Sequence, residues 1–190
     1  MSYSHAVPGQ AAPPIPLAAP PKRPGVLIAL LVAAIGSAVA AVAGAVMVFT
    51  GGRELAATNL TEALDKLGPS MGMPDGFSAQ DIAELSGSIW DTLVDERLST
   101  LTARGGFALF FAAWLLIFGL CALKGATWAR VLITIGAVLS VVPHFLILAD
   151  YEPNSVVVTS LAALLLGLVA VVLCWLPPIN RYQRALKAPR

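Results

Sequence analysis

His144 sits in an apolar run and is followed, at six and eight residues, by Asp150 and Glu152 in the stretch PHFLILADYE, residues 143–152. An imidazole titrates near neutrality, and carboxylates at the mouth of an apolar segment can exchange protons with it, so the chemistry open to this set is proton transfer. Pro143 cannot donate to the carbonyl of Leu139, which predicts a kink and a free acceptor beside the imidazole. Pro143, His144, Asp150 and Glu152 are therefore a candidate intramembrane site. The alternative is a neutral His144 that hydrogen-bonds across helices or reaches the headgroups.

A second set is acidic. Asp81, Glu84, Asp91 and Asp95 fall within about one third of a turn of one another on a continuous helix, which makes them either a solvated face or a cation-attracting docking surface. Other chemistry finds no support. The chain contains no H-E-x-x-H, G-x-S-x-G, phosphate-loop or G-x-G-x-x-G motif, so no enzymatic activity, catalytic residue or cofactor is expected. Cys121 and Cys174 lie near one end of their spans, at a depth on the order of 15 Å from His144, too far to share a metal ion with it. The C-terminal NRYQRALKAPR is short and sits where lipid headgroups claim its charge, so nucleic-acid binding is not expected.

The elements that must position these residues follow from hydropathy. With 57% hydrophobic and 12% charged residues and a mean hydropathy of +0.80, the chain lies outside the soluble range. Four apolar spans, 26–50, 106–123, 131–149 and 156–177, contain no Asp, Glu, Lys or Arg, and each approximates the roughly 20 residues needed to cross hydrocarbon. The expected fold is all-α, a four-helix transmembrane bundle with an acidic, short-helical extracytoplasmic segment, 51–105, between the first two spans. Residues 1–25 read as a disordered Pro-rich tail, with seven of the 14 prolines before residue 25, and 178–190 as a basic tail.

Charge is polarised although the total is only +1. Eight basic and no acidic residues occupy the N-terminal tail, the link between spans two and three and the C-terminal tail, while all 11 acids fall in 51–105 and the link at 150–152. Basic segments stay in the cytoplasm, so a plasma-membrane protein with both termini inside is expected. Span one, 25 residues long and preceded by a 25-residue tail, reads as retained rather than cleaved as a signal peptide.

Within 51–105, Asn59 with Glu62 suggests a capping box and helix start, GPSMGMPDG a break, Ser78 with Asp81 a second start, and Gly87 a weak point. Asn59-Leu60-Thr61 also matches a glycosylation sequon. Gly36, Ala40 and Gly44, with Ala33, Ser37, Ala41 and Ala45 alongside, predict close packing of span one, and Ala163 and Gly167 do so more weakly for span four. The expected contacts of the protein are the lipid bilayer, a protein partner through 51–105, and a second copy through span one as the alternative to packing within the bundle.

KRPGVLIALL entering span one, KGATWARVL between spans two and three, and CWLPPINRYQRA leaving span four resemble the small four-span membrane proteins of unknown function found in actinobacteria. The excess of Arg (eight) over Lys (four) fits that resemblance. It implies a bacterial plasma-membrane protein without an assigned activity.

Overall fold

The computed structural model describes residues 22–72 and 78–187. The Pro-rich tail to residue 21, the middle of the GPSMGMPDG break and the last three basic-tail residues lie outside the described residues. Six α-helices make up the rest: α1 Gly25–Leu67, α2 Ala79–Ser86, α3 Ser88–Ala122, α4 Thr127–Ala149, α5 Asn154–Cys174 and α6 Pro177–Lys187, with a 3-10 turn at Pro69–Met71. α1, α3, α4 and α5 are long and apolar enough to cross a membrane. They form a ring in which α1 packs on α3 and α5, and α4 packs on α3 and α5. Alternating directions put both described chain ends and the α3–α4 link at one end, the terminal end. The α4–α5 link lies at the other, the distal end.

Small residues set the α1 interfaces. In lipid, helices associate through close packing rather than hydrophobic exclusion, and on α1 the buried stripe is Ala33, Ser37, Ala41 and Ala45. Ser37 Oγ donates to the Ala163 carbonyl of α5 at 2.7 Å. A Cβ on Gly44 would stand 2.6 Å from Thr159 Oγ1, and one on Gly36 3.1 Å from Leu166 Cδ1, both on α5. Gly36 and Gly44 thus pack within the chain, while Ala40 is only half-buried beside them. On α3, Trp114 Nε1 donates to the Leu132 carbonyl of α4 at 2.8 Å, and its ring fills the space where Gly136 lacks a Cβ.

Several expectations are corrected. α1 Gly25–Leu67 is two helical stretches that meet at a kink at Gly52, φ 50° and ψ −137°, a conformation open to glycine alone at low cost, so the segment 51–105 begins with a helix of its own direction. Asn59 does not cap a helix; it lies buried inside α1, which also leaves the sequon amide inaccessible. The capping box at Ser78 and Asp81 is present, but Gly87, φ 47°, separates α2 from α3. Asp81 and Glu84 therefore share no continuous helix with Asp91 and Asp95. Span four ends at Cys174, and the basic tail forms α6, which buries Ile179 and Gln183.

The consequence is a projecting pair. α1 beyond residue 50 and α3 before residue 105 each add about 26 Å of helix past the apolar spans, at 1.5 Å per residue. Val48, Ala56, Val94, Leu101, Ile147 and Val156 form the core at the foot of this pair.

Candidate functional site

Where the projecting pair meets the α4–α5 link, four charged side chains from α3 and the link converge, with an amide from α1. Arg97 and Arg104 are seven residues apart on α3, two helical turns, and so point the same way. Arg97 reaches the link through Nη1 to Asp150 Oδ2 at 2.7 Å and Nη2 to the Tyr151 carbonyl, while its Nε donates to Asn59 Oδ1 on α1 at 2.7 Å. Arg104 Nη1 donates to Asp150 Oδ2 at 2.6 Å and to Glu152 Oε1. Asp150 Oδ1 also accepts from the Tyr151 N–H at 2.8 Å.

The cluster is neutral overall and largely withdrawn from solvent. Glu152 is 5% exposed and is paired and hydrogen-bonded to Arg104, as a buried ion needs to be, although the neighbouring Asp150 carboxylate repels its charge. Burial acts to raise the Asp150 carboxyl, but the hydrogen bonds from Arg97 and Arg104 outweigh it and hold the group at about 2. Glu152 goes the other way: burial pushes its carboxyl above the ordinary range, and the hydrogen bond from Arg104 only partly offsets that. Two carboxylates two residues apart thus have divergent proton affinities.

Below the cluster lies a cavity of about 20 Å³, lined in part by Arg104, Glu152, Gly44, Thr159 and Ser160, enough for roughly one water. His144 reaches this neighbourhood through Ser160: its Nδ1 and the Ser160 Oγ share a 2.6 Å hydrogen bond, and the imidazole is buried. Pro143, also buried, lies inside a continuous α4.

The four residues read from the PHFLILADYE stretch are therefore divided. Asp150 and Glu152 join one ion cluster, and His144 is tied to α5 through the hydroxyl of Ser160, which lines the one-water cavity. The acidic set disperses. Asp81 accepts from the Ser78 hydroxyl and N–H in its capping box, which lowers its carboxyl below the ordinary value. Asp91 and Asp95 both take Arg53 of α1, and Glu84 is exposed. Among the described residues no His, Cys, Asp and Glu group is placed to hold a metal ion.

Sequence reasoning missed Arg97, Arg104, Asn59 and Ser160. A signal was present: Arg97 and Arg104 are spaced by two turns, and Asp150 and Glu152 are the only charges in the other distal segment. Counting charge for orientation concealed the match. Comparison of the chain with protein-family models, with curated proteins and with solved structures finds no match.

Proposed function

We propose that this is a multi-pass plasma-membrane protein with cytoplasmic termini that holds its projecting helical pair outside the membrane as a docking platform for a protein partner. The role is structural or regulatory rather than enzymatic. The observation that carries the reading is apolar surface in the wrong place for lipid. Leu85, Ile89 and Leu93 are 77%, 63% and 38% exposed, and Ile89 lies about 24 Å along α3 from the start of the apolar span at 1.5 Å per residue. Exposed apolar groups beyond the reach of hydrocarbon, on a helix pair braced by ion pairs, favour a protein partner.

Charge narrows the partner. Glu84 on α2 and Glu96 on α3 are exposed and have no basic partner among the described residues, unlike Asp91 and Asp95, which pair with Arg53, so the complementary face carries apolar side chains with Lys or Arg beside them. A second copy presents the same acids and is disfavoured. The orientation rests on the charge asymmetry, and the actinobacterial affiliation on the junction motifs.

Intact-complex mass after brief crosslinking in native membranes tests this. The expected result is a heteromeric complex that disappears in the Leu85→Ser/Ile89→Ser variant and persists in a variant of equally exposed but lipid-level Val138→Ala. A complex indifferent to the double substitution would sink the reading.

A second reading, a small transporter or channel subunit, is favoured by the cavity shared by Glu152, Arg104 and Ser160 next to His144. Its test is proton flux in vesicles: His144→Ala must change flux between pH 5 and 8. Beneath the cavity the terminal end is packed by Leu27, Leu30, Leu115, Ile133 and their neighbours, which ranks this reading second.

A further inference from the structure

At the terminal end a buried cation lacks a counter-charge. Arg130, in the first turn of α4, is 2% exposed and is the largest fully buried side chain among the described residues. Its Nη1 donates to Gln183 Oε1 of α6 at 2.7 Å, and its guanidinium lies 4.8 Å from the Trp175 ring centroid. Its Nε and Nη2 have no partner, nor does Gln183 Nε2, although Gln183 is itself only 6% exposed. All three orphaned atoms are donors.

A buried cation held by one neutral acceptor and one ring face leaves a desolvation cost that pairing normally offsets. No side chain of the sequence can offset it here. Every acidic residue falls within 51–105 or at 150 and 152, and the described ones lie toward the distal end, a span away. The placement of Arg130 adds to the imbalance. A cation in the first turn of a helix opposes the helix dipole, and the N-cap position, Ala126, offers no side-chain cap. Among the described residues no carboxylate supplies the counter-ion.

We infer that Arg130 and Gln183 form a recognition site for a phosphate group. Phosphate oxygens accept several hydrogen bonds at once and match the guanidinium fork. The site lies at headgroup level, flanked by the half-exposed or exposed interface tryptophans Trp128 and Trp175. Around it α6 exposes Arg181, Arg184 and Lys187, and the α3–α4 link exposes Lys124, which concentrates anions at this surface. α6 forms one wall of the site through Gln183 and is seated by its buried Ile179. A phosphate monoester on a lipid and free inorganic phosphate share this chemistry.

The test uses the full chain in detergent micelles, with three probes: dihexanoyl phosphatidic acid, dihexanoyl phosphatidylcholine and inorganic phosphate. Binding is read by native mass and by thermal unfolding. Saturable 1:1 binding of phosphatidic acid, weakened at least tenfold by Gln183→Met and by Arg130→Met, assigns the site to a lipid headgroup. Binding of inorganic phosphate as tightly as phosphatidic acid, with the same two losses, assigns it to a soluble source. Neutralising Arg181, Arg184 and Lys187 together should reduce attraction to anionic vesicles yet keep the 1:1 stoichiometry. Should Arg130→Met fail to fold, Gln183→Met decides alone. The inference is overturned if no anion binds saturably, if phosphatidylcholine binds as well as phosphatidic acid, or if Gln183→Met binds like the native protein.

Discussion

Arg104 and Arg53 both make ion pairs with two carboxylates, yet they should contribute very differently to stability. Arg53 and its partners Asp91 and Asp95 have side chains that are half-exposed or more, where an ion pair is worth about 0–1 kcal/mol. Arg104 faces a nearly inaccessible Glu152 side chain, and removing one member of such a pair costs roughly 3–5 kcal/mol. Unfolding in mixed SDS micelles should therefore show Arg104→Ala far below Arg53→Ala, and equal losses would contradict the buried network. The pH response has a definite order. Asp150, held at about 2, contributes its full stabilisation above the ordinary carboxylate value, ~3.9, and loses it only as pH falls through its folded value. For Glu152, raised in the fold, ionisation costs stability above its folded value; that cost shrinks as pH falls through the folded value and is gone below the ordinary carboxylate value. Infrared difference spectra from pH 7 downward should thus show a carboxyl band that is absent in Glu152→Gln appearing first, before any Asp150 band. Of this site the sequence made Asp150 and Glu152 legible as charges beside an apolar run. It did not reveal their arginines, because residues 46 to 53 positions apart are joined only by helix length and ring order.

At the scale of helices, the glycines decide where α1 can go. Gly44→Ala brings a Cβ against Thr159 Oγ1, whereas in Gly36→Ala the obstacle is the flexible end of Leu166. Overpacking of this kind costs about 1–3 kcal/mol, so Gly44→Ala should be the more destabilised of the two, and Thr159→Ala in the same chain should restore it. Gly52→Ala is expected to lose about 1–3 kcal/mol through strain, because φ 50° with ψ −137° is closed to side chains. The same unfolding assay checks both. Four helices were readable because uncharged runs of about 20 residues have few other solutions in a protein, and the Ser78 and Gly87 signals were readable as local chemistry. The Asn59 signal failed for a physical reason. A cap requires a free helix end, and α1 continues through Asn59 because Ala56 and Val94 pack there and Arg97 takes the amide oxygen. The helical form of 177–187 was overlooked because its charges suggested a solvated tail, while Ile179 and Gln183, four apart, mark one buried face.

For the molecule as a whole, the charge polarity and the architecture lead to the same division: a terminal end rich in arginine, and a distal helical pair tied to the α4–α5 link by Arg97 and Arg104. Those ion pairs tie α3 of the projecting pair to the α4–α5 link, and a platform ordered in advance loses less entropy on binding a partner. Breaking this tie with Arg97→Gln should leave the spans inserted but weaken partner capture, read as a faster loss of complex in intact-mass experiments. The most direct measurement places a photoreactive side chain at position 89 of the full protein in its native membrane, with the same group at position 138 as a lipid-level reference. The docking account predicts one discrete protein adduct from position 89, lost when Leu85 is made Ser, and only lipid adducts from position 138. Lipid or solvent products alone from position 89 would contradict it.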